Sequence, residues 1–243
     1  MNIKMLSTGL LMLSTAAVAG SGHEWGYSGS TGPENWAQLS GDYAACGGVN
    51  QSPVNLTGFL EAELAPINFQ YQKGAYEILN NGHTVQVNYK PGSFMEIEGQ
   101  RFELKQFHFH APSENHINGE SYPLEAHLVH ADKAGHLAVV AVMFKEGSDN
   151  EGIVKAWQQL PETKGQKNTL THPISVNELL PKERAYYRFN GSLTTPPCSE
   201  GVRWYVIKQP MQASMPQIKA FADALGHPNN RPVQPLNARQ VLQ

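Results

Sequence analysis

The sequence predicts a mainly β fold of the α+β class, built as one large, mostly antiparallel, twisted central sheet with short peripheral helices. Three observations predict it. Apolar residues recur with a period of two from His83 onward. Brief turn signals separate those runs. Helical spacing is confined to two short stretches.

The elements follow in chain order. Lys4, an apolar run through Leu6, Leu10, Leu11, Met12 and Leu13, and small residues ending at Ala17-Val18-Ala19 form the pattern of a secretory signal over residues 1–19. That run is shorter than the roughly 20 residues needed to cross a bilayer, and no cysteine near its end offers a lipid site, so no membrane anchor is expected. The mature chain begins near Gly20, and 20–243 reads as a single domain, because neither a long linker nor a low-complexity tract interrupts it. From Trp25 to Leu60 the chain is rich in Gly, Ser, Pro and Asn without periodicity, which predicts loops wrapped over a core.

Strands are predicted over 83–89, 93–97, 101–110, 124–130, 137–145 and 202–208. Pro91-Gly92, Glu98-Gly99-Gln100 and Asp132-Lys133-Ala134-Gly135 are each short enough to join antiparallel neighbours as hairpins. Helices are predicted around 152–160 and over 215–225, where Ile218, Phe221, Ala222 and Leu225 share a face.

The formal charge of −3 comes from scattered acidic and basic residues, which gives no electrostatic footprint for nucleic acid or an anionic membrane. A small-molecule partner is expected. The two cysteines, Cys46 and Cys198, both lie in the exported part, where an oxidising compartment lets a pair close into a disulfide. Two inert buried thiols fit the same pattern.

Gln106-Phe107-His108-Phe109-His110 is the most informative segment. Strand side chains alternate faces, so Gln106, His108 and His110 point one way and the two phenylalanines the other. Two imidazoles at i and i+2 can share one ion. The strand at 124–130 carries His127 and His130, which alternation puts on opposite faces, so one of them can join the pair. Glu125 shares a face with His127, and a ligating histidine usually gives its second N–H to a carboxylate or carbonyl, which selects His127. Gln106 precedes His108 by two residues, as Glu125 precedes His127, and can orient a ring in the same way. Three neutral imidazoles with a position left for water is the pattern of a catalytic zinc site, whereas structural sites close with four ligands. The remaining histidines read as surface or hydrogen-bonded residues.

The chain resembles the alpha-class carbonic anhydrases, in their bacterial exported branch, from Trp25-Gly26-Tyr27 to Arg231-Pro232-Val233-Gln234-Pro235. The matching segments are Asn50-Gln51-Ser52-Pro53-Val54-Asn55, Asn80-Asn81-Gly82-His83, 106–110 with Ser113-Glu114, 125–130, Gly191-Ser192-Leu193-Thr194-Thr195-Pro196-Pro197 and Trp204. Where animal members often carry tryptophan after the second ligand histidine, this chain has Ala111.

The resemblance implies zinc on His108, His110 and His127 and the reversible hydration of carbon dioxide to bicarbonate and a proton, by zinc-hydroxide attack. It implies that Thr194 orients the attacking oxygen while donating to Glu114, and that His83 shuttles the proton with Tyr27 ordering water. Val129, Val139, Leu193, Thr195 and Trp204 would form the substrate pocket. It further implies a Cys46–Cys198 disulfide bracing the loop of Thr194, a periplasmic or secreted location, and a homodimer as one assembly open to it. Without the family, Thr194 and Thr195 read as ordinary loop residues and Glu114 as a turn carboxylate. Two rival readings are a binding module without catalysis, which the complete histidine triad disfavours, and a zinc carrier, whose His-rich tracts are absent.

Overall fold

The computed structural model describes residues 24–172 and 174–243; the signal sequence read over 1–19 lies outside them. Short helical turns at Gly29–Thr31, α1 (Trp36–Leu39) and Gly41–Gly47 make up the early loop region. The strands are β1 (Asn55–Leu56), β2 (Asn68–Gln70), β3 (Ala75–Asn80), β4 (Val85–Tyr89), β5 (Phe94–Ile97), β6 (Gln100–His110), β7 (His116–Ile117), β8 (Leu124–Ala131), β9 (Leu137–Glu146), β10 (Lys167–Thr169), β11 (Tyr186–Ser192), β12 (Glu200–Ile207) and β13 (Met211–Ala213). The longer helices are α2 (Glu151–Trp157) and α3 (Met215–Leu225).

The large sheet runs in the order β10-β3-β4-β6-β8-β9-β12-β11. Its pairings are antiparallel except for β9, which lies parallel to both β12 and β13. The predicted strands all form, to within two residues at each end. Glu98-Gly99 makes a tight hairpin between β5 and β6, with both residues at positive φ, and Asp132–Gly135 turns β8 into β9.

The expected hairpin at Pro91-Gly92 is a correction. β4 and β5 do not pair; they lie end to end along the same edge of β6, β4 opposite residues 106–108 and β5 opposite residues 100–103. β6 is 11 residues long, enough to hold both, and the Leu104 N–H donates to the Ser93 carbonyl at 2.8 Å across the break. Pro91-Gly92 is therefore a kink in one broken strand.

β6 also changes parity. Its register shifts between Leu104 and Gln106, so Phe102 and Leu104 before the bulge and Phe107 and Phe109 after it all enter the same apolar cluster. That cluster packs under α2 and α3 through Ile153, Ala156, Ile218 and Phe221. Each such large side chain stabilises the fold by roughly 1.5–3 kcal/mol. α3 begins with the Ser214 backbone N–H donating to Gln217 Oε1 at 3.2 Å, one half of a capping box, and ends at Gly226 in the left-handed conformation. A second cluster on the opposite face holds Val139, Ala141, Phe189, Val202, Trp204 and Val206. It forms the floor beside the site.

Cys46 and Cys198 are joined as a disulfide, 152 residues apart in sequence. Replacing both with serine is expected to lower stability by about 2–4 kcal/mol, chiefly by freeing the unfolded chain. Denaturant unfolding of the two proteins checks this, and equal midpoints would count against it.

Candidate metal centre

Register assembles the site. Across the β6–β8 ladder Gln106 faces Val129, His108 faces His127 and His110 faces Glu125, so these pairs share one face of the sheet. The next strands extend the same rows. Val129 is opposite Val139, and Val139 is beside Trp204; on the other side Gln86 of β4 is opposite His108. Two sequence-distant strands thus bring the third histidine to the pair, as the face argument expected. His130 points away, buried on the other face with its Nε2 2.7 Å from the Tyr71 hydroxyl and its Nδ1 3.3 Å from the Ala138 carbonyl.

Each ring of the triad has one nitrogen tied down. His108 donates from Nδ1 to Gln106 Oε1 at 2.8 Å, so the amide left unassigned by the sequence orients the nearest ring. His110 donates from Nδ1 to the Asn229 carbonyl at 2.7 Å. His127 donates from Nε2 to Glu125 Oε1 at 2.9 Å. The free nitrogens, Nε2 of His108 and His110 and Nδ1 of His127, are what remains for a metal, and the three rings offer ligand atoms within 4.8 Å of one another. His110 Nε2 is buried with no hydrogen-bond partner. A buried polar atom left orphaned in this way fits a cation site.

Electrostatics agree with that fit. Burial, and then the neighbouring imidazoles, hold His108 well below its ordinary pKa and His110 at about 3, which keeps both lone pairs free of protons at neutral pH as metal binding requires. Burial also pushes His127 down, but Glu125 outweighs it and raises the ring. Burial alone would raise the Glu125 carboxyl; His127 and the Asn115 donors hold it below the usual carboxylate range. Glu125 accepts from the Glu114 and Asn115 backbone N–H groups at 2.7 and 2.9 Å and from Asn115 Nδ2 at 2.7 Å, besides His127. It is fully committed to orienting the ligand.

Glu114 lies beside the metal-facing nitrogens, its Oε2 3.4 Å from His110 Nε2 and 3.9 Å from His127 Nδ1 and without a hydrogen-bond partner. Its Oε1 accepts from the Arg231 backbone N–H at 2.9 Å. Burial pushes its pKa up to about 7, against the lowering influence of His127, the Arg231 backbone N–H and the nearby Thr194 hydroxyl. The Arg231 guanidinium, also buried, donates to Gln51 Oε1, the Ser52 carbonyl and the Cys46 carbonyl. Gln51 Nε2 in turn donates to the Cys198 carbonyl at 3.1 Å. The disulfide and the Thr194 loop are thereby joined to the carboxylate.

Above the triad is a pocket of about 140 Å³. Of the residues predicted for its walls, Val129, Val139, Leu193, Thr194, Thr195 and Trp204 all line it, and so do Gln106 and Tyr27. Trp204 donates from Nε1 to the Ser192 carbonyl at 3.0 Å, which anchors the Leu193–Thr195 segment beside the triad. A space of this size with one apolar wall takes a molecule of a few atoms.

A sequence model of the eukaryotic-type carbonic anhydrases matches residues 31–243. The chain belongs to that family. A carbonic anhydrase of Pectobacterium carotovorum is 47% identical over 235 residues, with 96% of each chain covered. One from Neisseria gonorrhoeae is 44% identical, covering 97% of this chain and 96% of the relative. Among solved structures, the alpha-carbonic anhydrase of Thermovibrio ammonificans, in complex with the inhibitor sulfanilamide, superposes with a TM-score of 0.90 at 51% identity, covering 91% of this chain and all of that one.

Some features of this carbonic anhydrase fold were not legible in the sequence. Asn229 is fully buried; besides accepting from His110 it bonds the Phe109 and His83 carbonyls and the Ala111 N–H. Its only sequence signal is its place two residues before the Arg231-Pro232 segment. Thr84 and Gln86, which no motif marks, and Asn81, which a matching segment contains without giving it a role, line the pocket. His83 does not line it. Its ring is stacked on Trp25 at 3.7 Å between centroids, in an adjoining cavity.

Proposed function

We propose that this chain catalyses the reversible hydration of carbon dioxide to bicarbonate and a proton, as a zinc lyase with the metal on His108, His110 and His127. The observation that carries the reading is the convergence of three imidazole nitrogens, each ring fixed from behind, at the base of a small pocket with an apolar wall. When bound, zinc supplies Lewis acidity that brings the pKa of water to about 7, a value for which carbonic anhydrase is itself the reference example.

The chain's own residues divide the remaining work. Gln106, Glu125 and the Asn229 carbonyl hold the ligand rings in one tautomer each. Thr194, hydrogen-bonding to Glu114, orients the attacking oxygen so that a lone pair faces the substrate. Val129, Val139, Leu193 and Trp204 hold carbon dioxide against an apolar surface, and Thr195 closes the polar edge. Tyr27 carries a buried hydroxyl without a protein partner, which suits it to hold a water. His83, beyond Tyr27, takes the proton outward.

The chain is further proposed to be exported, with residues 1–19 as signal sequence and 20–243 as one domain in the periplasm or outside the cell. Support comes from the disulfide, which persists in an oxidising compartment. Among the described residues no helix is long and apolar enough to cross a membrane.

The test is stopped-flow carbon dioxide hydration by the purified mature chain, before and after a chelator strips the metal and again after zinc is restored. Turnover lost and regained with zinc is the expected result. Folded, fully zinc-loaded protein with no hydration above buffer would end the proposal.

A further inference from the structure

A second cavity opens beside the metal pocket, and Tyr27 belongs to the walls of both. The buried Tyr27 hydroxyl has no protein partner, so water is the partner available to it. Among the described residues this antechamber carries two imidazoles, His83 and His227. They differ in what surrounds them.

His83 lies flat on Trp25, with an interplanar angle of 10°. Burial, with Lys164 and His227 adding to it, pushes its pKa down to about 4 in spite of Glu24. In that position it is a weak base at neutral pH. His227, by contrast, is exposed, and its ring centroid is 5.9 Å from that of Tyr27. Its Nδ1 is 2.8 Å from the Pro228 carbonyl and its Nε2 3.3 Å from the carbonyl of Gly82, the neighbour of His83. The ring also borders a surface cavity beside Ala222, Asp223 and Gly226, so it meets bulk solvent directly. The other charged groups nearby are paired: Lys164 lies 3.3 Å from Glu24, and Asp223 is bonded to Lys219.

We propose that His227 is a second proton-relay residue of this enzyme, passing to external buffer the proton that leaves the metal pocket through water at Tyr27. The proposal rests on the reading that the chain hydrates carbon dioxide. In the neutral ring one nitrogen donates to its carbonyl and the other keeps its lone pair. That second nitrogen accepts a proton from pocket water, the imidazolium then faces both the Pro228 and the Gly82 carbonyls, and the ring returns to neutral by losing a proton to a buffer base. The net change is one proton moved from pocket water to buffer, with no other bond made or broken. Because the ring reaches solvent without leaving its place, this exit does not depend on His83 releasing its stack on Trp25.

The experiment compares the zinc-loaded mature chain with His227→Ala, His83→Ala and the double variant in stopped-flow hydration, in dilute and in concentrated buffer. Proton export enters kcat and not kcat/KM, because it follows the chemical step. In dilute buffer His227→Ala is expected to lower kcat several-fold and the double variant by about 100-fold, the scale of a lost acid–base group. kcat/KM stays unchanged, and added imidazole restores kcat. A readout independent of turnover is the NMR signal of the His227 ring, which should move over the pH interval in which the wild-type kcat rises. An unchanged kcat for His227→Ala in dilute buffer overturns the proposal. So does a loss shared by kcat/KM and not rescued by imidazole, or a ring signal that stays fixed across that interval. A wild-type chain without hydration activity would instead overturn the functional reading on which the proposal rests.

Discussion

Replacing His110 with alanine is expected to abolish both tight zinc binding and carbon dioxide hydration. Loss of a group that merely orients a ligand typically weakens metal binding by about 10–100-fold, and loss of the ligand itself costs more than that. His110 is the ring with the least alternative use: it is 1% exposed, its Nδ1 is committed to Asn229 and its Nε2 has no hydrogen-bond partner in the protein. The nearest other side-chain oxygen, Glu114 Oε2, is 3.4 Å from His110 Nε2, and it belongs to a carboxyl that the Arg231 backbone N–H holds at its other oxygen. Zinc content after dialysis, measured together with stopped-flow hydration, checks this. A variant that kept one zinc per chain and full turnover would remove His110 from the site.

Tyrosine in place of Val129 is expected to separate substrate binding from metal binding. Val129 sits opposite Gln106 on one side and Val139 on the other, with Trp204 beyond. An aromatic ring there would fill most of a pocket of about 140 Å³ while leaving His108, His110 and His127 untouched. The substrate carbon is then displaced from the attacking oxygen, and misplacement by about 1 Å can cost 100-fold. kcat/KM should fall by about 100-fold or more with zinc content unchanged. Full activity in a well-folded Val129→Tyr protein would show that carbon dioxide binds elsewhere.

Much of the fold and of the candidate site was legible along the chain because it is local. Alternation within β6 and β8 assigns faces over a few residues, and it separated His127 from His130 without any knowledge of the fold. The helix at 215–225 was legible for the same reason, through its spacing. Elements that break the local rule were missed. β11 contains Asn190-Gly191, which reads as a turn, yet its register only shifts there. The glycine is needed because a Cβ at that position would collide with Ser52 Oγ. β3 was missed because Ala75-Tyr76-Glu77-Ile78-Leu79-Asn80 does not alternate apolar with polar residues.

The sequence by itself determined which side chains could be ligands, which face each occupied, and, through resemblance to a family, the chemistry they are expected to serve. Tertiary structure alone decided how those faces meet. The β6 bulge flips parity so that one strand can put four aromatic or aliphatic residues into the core and still present Gln106, His108 and His110 to the pocket. Register across β6, β8, β9 and β12 sets His127, Val139 and Trp204 beside them. Asn229, 119 residues from His110, and Trp25 against His83 are contacts of the same kind. Periodicity carries information over a few residues, whereas these contacts are fixed by the packing of distant segments, which no local pattern encodes.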